Sequence, residues 1–154
     1  MSRIDEKYRY KITPAANSKM IVKGEKYRFT ILSDGLIRME YSEQGIFEDR
    51  ATQTVINRDF PCVNFELCED YEKIVITTKQ MKLTYYKNEE FSCGSLYAMH
   101  KDDVTKEITY WRYGRTEALR NLKGTVRTLD LVDGEIPLED GIMSRSGFAV
   151  IDDS

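Results

Sequence analysis

Tyr27-Arg28-Phe29-Thr30-Ile31-Leu32-Ser33-Asp34-Gly35-Leu36-Ile37-Arg38-Met39-Glu40-Tyr41 reads as one β-hairpin. Tyr27, Phe29 and Ile31 alternate with polar residues, and neighbouring side chains on a strand point to opposite faces, so these three share a face. Ser33-Asp34-Gly35 supplies turn chemistry, with a glycine free to take the positive φ of a tight turn. Ile37, Met39 and Tyr41 then alternate with Arg38 and Glu40 on the return strand.

The same period of two recurs as Val63, Phe65 and Leu67, and again as Met81, Leu83 and Tyr85. Ile74-Val75-Ile76 is a continuous apolar run, suited to a strand covered on both faces. Shorter strand candidates are Thr52 to Ile56, Leu96 to His100 and Phe148 to Ile151. Only Thr116 to Leu122 hints at a helical turn. Many short strands divided by turn residues predict an all-β, antiparallel β-sandwich with long loops and at most one short helix. With 154 residues and no internal repeat or dividing linker, a single domain over 1–154 is expected, in which 1–25 is a less certain leading segment.

Composition limits the function. Hydrophobic residues at 41% and charged ones at 32% fit a folded globular chain and exclude a disordered one. A formal charge of -3 gives no basic footprint for nucleic acid or an anionic membrane. Met1 to Lys7 lacks an apolar signal core and no run of apolar residues is long enough to span a bilayer, so a cytoplasmic location is expected. Cys62, Cys68 and Cys93 are odd in number and unsuited in spacing to a disulfide framework or a metal site, and free thiols in a reducing compartment are the simplest reading.

From Arg112 onward glycine and polar connections replace strands, and loops held on a rigid scaffold commonly carry function. There the chain reads Asn121-Leu122-Lys123-Gly124-Thr125-Val126-Arg127-Thr128-Leu129-Asp130, then Asp133-Gly134, Pro137-Leu138-Glu139, Gly141, and Ser144-Arg145-Ser146-Gly147-Phe148 through Asp152-Asp153-Ser154. This ordered series resembles glycoside hydrolase family 31, of α-glucosidase type, in the stretch N-L-G-G-T-x-R-T-L-D, D-G, P-L-E, S-R-x-G-W, D-D-S that leads into the catalytic barrel. Lys123 stands where that pattern commonly has Gly, which an exposed loop is expected to tolerate, and Phe148 where it commonly has Trp. Phe47-Glu48-Asp49-Arg50 with Gln53 to Arg58 is similar to a second family segment, and Phe91-Ser92 with Trp111-x-x-Gly114 to weaker ones.

The resemblance implies the amino-terminal, galactose mutarotase-like β-sandwich (supersandwich) of a retaining α-glucosidase or α-glucosyltransferase. Its partners would be a (β/α)8 barrel downstream in the same polypeptide, absent here, and an α-glucoside reached through that barrel. Retaining hydrolysis needs two carboxyl groups about 5 Å apart on such a scaffold, so no catalysis and no cofactor is expected of this chain alone. The resemblance also implies a loop reaching the sugar pocket, with Arg127, Thr128 and Asp130 as substrate-binding candidates; an Asp130 ion pair with Arg127 or Arg145 that merely fixes the loop is the competing reading.

Arg145, Phe148, Asp152 and Asp153 are candidates for the interdomain junction. Adjacent carboxylates on a strand diverge, which gives Asp152 and Asp153 a structural role, such as capping the turn into the barrel. His100, the lone histidine, argues against mutarotase chemistry and against a metal site. Tyr8, Tyr10, Tyr85, Tyr86, Tyr97, Tyr110 and Tyr113 read as core or interface aromatics, or as a sugar-stacking platform. The pairs Glu89-Glu90 and Asp102-Asp103 read as solvated turns. A barrel-facing surface left uncovered predicts self-association of the isolated chain. The alternative function is an independent carbohydrate-binding module, which needs a groove lined with exposed aromatics.

Overall fold

A computed structural model describes residues 10–102, 104–115, 120–124 and 130–153. They form two compact units, one running to Phe65 and including Asp153, the other running from Glu66 to Asp152.

The first unit is a three-stranded antiparallel sheet of β1 (Ile21–Lys23), β2 (Tyr27–Ser33) and β3 (Leu36–Tyr41), in that order. Asn17 starts it by accepting from the Lys19 N–H at 3.0 Å, which caps a one-turn 3-10 helix at Ser18–Met20. The hairpin pairs Phe29 with Met39 and Ile31 with Ile37, and a bulge between Ile31 and Ser33 leads into the turn. Phe29 and Ile31 are fully buried, with Val22, Tyr27 and Ile37 around them. Each such side chain contributes about 1.5–3 kcal/mol by leaving water.

The opposite face of this sheet is also covered, although its residues are polar. Arg28 faces Glu40 across the hairpin and donates to both carboxylate oxygens, at 2.6 and 2.9 Å. Arg28 also meets Asp49 at 2.8 Å and lies 5.1 Å from the centre of the Phe47 ring. The Glu48 carbonyl accepts from Arg28 at 3.0 Å and from Arg38 at 2.9 Å. Residues 47–49 thus close over the charged face. The Glu40 hydrogen bonds raise Arg28 above the ordinary guanidinium value, whereas burial, with the positive charges of Arg58 and Arg28 nearby, lowers Arg38.

The second unit is a five-stranded antiparallel meander of β4 (Glu66–Glu69), β5 (Lys73–Thr77), β6 (Met81–Tyr86), β7 (Leu96–Lys101) and β8 (Ile108–Arg112). One face carries Ile74, Ile76, Leu83, Tyr85, Leu96 and Ala98, all buried. The Asp70 carboxylate accepts from the Glu72 and Lys73 N–H groups to shape the turn before β5, and Asp102 does the same for Val104 and Thr105 after β7. These backbone hydrogen bonds lower both carboxyls below their ordinary value.

The chain is therefore all-β, with the two antiparallel sheets that a sandwich requires and no α-helix among the described residues. None of the described helices is long and apolar enough to cross a membrane.

Several local expectations are corrected. Thr52 to Ile56 is a turn, because the Thr52 hydroxyl accepts from the Val55 N–H at 2.9 Å and the Val55 carbonyl accepts from the Thr52 N–H at 3.0 Å. Phe148 to Ile151 makes only an isolated bridge, Met143 to Ala149, after a turn with Gly147 at φ 82°. The strand expected around Val63 and Phe65 begins at Glu66. Val75 is half-buried between buried Ile74 and Ile76, so β5 is covered on one face, not both. The pattern missed β1 and β8; Ile108–Arg112 is an edge strand in which Thr109 and Trp111 are half-buried and the other three residues are exposed. Of Thr116 to Leu122, residues 116–119 lie outside the described residues.

Candidate functional site

The residues after β8 build a hydrogen-bonded layer from pieces that are far apart in sequence. Asn121 is its clamp. Its side-chain oxygen accepts from the Lys123 and Gly141 N–H groups, each at 2.8 Å, and its amide donates to the Gly141 carbonyl at 2.8 Å. Leu122 donates to the Met143 carbonyl at 3.0 Å, Gly124 to Glu139 at 2.8 Å, and Val150 to Ile142 at 2.9 Å. Gly141 has to be small, since a Cβ there would lie 2.5 Å from the Lys123 carbonyl oxygen.

Lys123 holds φ at 63°, in the left-handed region that favours glycine. The expectation that a lysine merely sits in a tolerant loop is thus incomplete, because the backbone there is strained. Its ammonium reaches Asp140 at 2.5 Å, an exposed pair of little net value.

This layer borders an open hollow of about 250 Å³, lined among others by Trp111, Tyr113, Asn121, Ile142, Phe148 and Val150. Trp111 and Tyr113 meet edge to face at 6.3 Å, Tyr113 meets Phe91 at 5.6 Å, and Phe91 meets Tyr85 at 5.2 Å. Phe91 and Trp111, quoted from separate segments, thus share one aromatic cluster.

Phe148 lines the hollow half-buried, while Arg145 is exposed and its N–H donates to the Arg120 carbonyl at 2.8 Å. Asp130 lies exposed in a turn. Arg127 and Thr128 lie outside the described residues, so the proposed sugar-contacting trio is represented by Asp130 alone. Apolar side chains are exposed throughout this region, including Leu122, Leu131, Leu138, Ile142, Met143 and Ile151.

Asp152 and Asp153 differ. Asp152 is exposed, whereas Asp153 belongs with the first unit, where Arg58 Nη2 donates to it at 2.8 Å and the Thr52 hydroxyl donates to its other oxygen. Arg58 is 1% exposed. Its Nη1 donates to the Pro14 carbonyl at 3.1 Å and the Arg50 carbonyl at 2.9 Å, and its Nε is buried without a partner. In the sequence Arg58 stands out only as the end of the segment similar to the second family one, because burial of an arginine is not legible from its neighbours.

The tyrosines divide. Tyr85 is buried and its hydroxyl donates to the Glu89 carbonyl at 2.6 Å, Tyr10 is 84% exposed, and Tyr86, Tyr97 and Tyr110 lie on the open face of the five-stranded sheet. Tyr8 and Asp103 lie outside the described residues. His100 pairs with Thr109 within β7 and β8. Cys62, Cys68 and Cys93 are free and exposed. The chain matches no protein-family model, and no curated protein sequence matches it.

Proposed function

We propose that the chain is the non-catalytic β domain of a family 31, α-glucosidase-type glycoside hydrolase, packing on a (β/α)8 barrel and lending the loop of Arg127, Thr128 and Asp130 to its sugar pocket. The observation that carries this is the Asn121 clamp. The quoted motif pieces, Asn121 to Gly124, Gly141 and Ser144 to Phe148, meet in one layer, and the position where the pattern commonly has glycine has a glycine-type φ. Such agreement is what a shared backbone requires and an accidental string match does not. The exposed apolar side chains of the same region suit a surface that a barrel covers.

The coding sequence beyond Ser154 tests this. Continuation into a barrel with two strand-end aspartates supports the domain, and a stop codon there refutes it. In solution, the isolated chain self-associates and leaves an aryl α-glucoside intact; cleavage by the chain alone refutes its non-catalytic role.

An independent carbohydrate-binding module is the second reading, favoured by the tyrosines on the open sheet face. Saturable binding of maltose or isomaltose by the isolated chain, measured calorimetrically, supports it.

A further inference from the structure

The open face of β5 to β8 has an order of its own. Val75, Thr84, Tyr97 and Arg112 form one cross-strand row, and Thr77, Lys82, Met99 and Tyr110 form the next. Lys73 lies beside Tyr86 at one end and Lys101 opposite Ile108 at the other. A shallow hollow of about 230 Å³ runs over these rows, lined by Lys73, Lys82, Thr84, Tyr97, Met99 and Tyr110 among others.

Charge on this face runs against that of the chain. The whole sequence carries -3, yet the face presents Lys73, Lys82, Lys101 and Arg112, against Glu66 at its β4 margin and Glu72, whose charge reaches Tyr86 at the Lys73 end. A cationic strip on an acidic protein concentrates an anionic ligand locally. The remaining groups are ring faces and hydroxyls. Tyr110 is 64% exposed, and Tyr86 and Tyr97 stand with ring centres 6.5 Å apart. The Tyr86 hydroxyl is raised above its ordinary value by its hydrogen bond with the Tyr97 hydroxyl. Thr84 forms part of the floor. A tyrosine face stacks on the apolar side of a pyranose, phenol hydroxyls exchange hydrogen bonds with its hydroxyls, and ammonium groups hold a carboxylate.

A nucleic-acid strand fits less well, because it needs successive free ring platforms. The Arg112 guanidinium already lies over Tyr97, 4.9 Å from its centre, and it is fixed there by donating to the Cys93 carbonyl at 2.9 Å. Tyr110 is left as the broadly exposed ring among the three.

We infer that this face binds a short anionic glycan, of the uronate class, with one sugar ring on Tyr110 and its carboxylates held by Lys82 and Lys73. The inference goes beyond the proposed function, since an α-glucosidase substrate is neutral, and it stands on residues of the second unit alone.

Calorimetric titration of the full chain with tetragalacturonate tests it, at low salt, beside maltotetraose and the single-stranded oligonucleotide (dT)8. Tetragalacturonate binds with a Kd below about 1 mM, at least about tenfold tighter than maltotetraose, and 0.5 M NaCl weakens it, as screening of an exposed site requires. Tyr110→Ala and Lys82→Glu each weaken it at least about fivefold, with circular dichroism unchanged, because both side chains are exposed and outside the core. Absence of saturable binding, equal affinity for maltotetraose, tighter binding of (dT)8, or full affinity in both variants overturns the inference. None of these outcomes touches the coding-sequence test of the barrel-bound domain, and equal affinity for maltotetraose would favour the neutral module.

Discussion

Replacing Arg58 by methionine removes the charged centre that holds Asp153, and its cost can be worked from the contacts. Arg58 donates to the carbonyls of Pro14 and Arg50 and to the Asp153 carboxylate, whose side chain is 18% exposed. The two carbonyl hydrogen bonds are worth about 1 kcal/mol each, and a mostly buried carboxylate left with only a hydroxyl partner costs about 3 kcal/mol more. Against this, methionine removes the buried, unpartnered Nε, a relief of about 1–2 kcal/mol. Arg58→Met therefore destabilises by about 3 kcal/mol, which lowers the thermal midpoint by about 6–12 °C for a chain of this size. Urea unfolding followed by circular dichroism measures it, with Asp153→Asn and the double variant closing a cycle. The double variant loses less than the sum of the single ones, because each single change leaves a buried partner behind. An Arg58→Met stability within about 0.5 kcal/mol of the parent, or strict additivity in the cycle, refutes the coupling of Arg58 and Asp153.

Lys123→Gly relieves a left-handed backbone at φ 63° and gives up an exposed ion pair with Asp140; stability rises by about 0.5–1 kcal/mol in the same urea assay, and a loss would refute the strain. Gly141→Ala places a Cβ 2.5 Å from the Lys123 carbonyl oxygen, so the clamp shifts and about 1–3 kcal/mol is lost, seen as faster amide exchange at positions 123 and 141. Acid unfolding follows the depressed carboxyls. Hydrogen bonds from Arg50 hold Glu48 at about 2, below its unfolded value near 4.5, so its contribution is full above about pH 4.5 and fades as pH falls toward 2; Glu48→Gln flattens that part of the pH profile, and an unchanged profile contradicts it.

The hairpin was legible because its information is local. Alternation and Ser33-Asp34-Gly35 fix which side chains share a face, and β2 and β3 fall where those residues place them. What covers the other face was not legible. In the sequence Arg28 and Glu40 are only polar positions in the alternation, and their burial depends on residues 47–49 closing over them, a contact set by tertiary structure. The same reason hides β8. An edge strand with no buried face leaves no period for the sequence to display.

Loops reverse this relation. Thr52 to Ile56 and Phe148 to Ile151 look like strands by composition, yet local hydrogen bonds turn the first and Gly147 interrupts the approach to the second. Their order is carried by polar clamps that have no periodicity. Asn121 satisfies three backbone groups of Lys123 and Gly141, and no hydrophobic pattern announces an asparagine that does so. A motif can: the spacing between Asn121 and Gly141 is the trace, in one dimension, of a clamp and the small residue it grips. Lys123 makes the point sharper. A departure from glycine there was invisible as strain until the backbone angle was known, and the angle is the one a glycine would hold without cost. Loops of this kind are therefore read from the residue types their backbone demands, whereas sheets are read from period, and the candidate site lies where the first kind of information replaces the second.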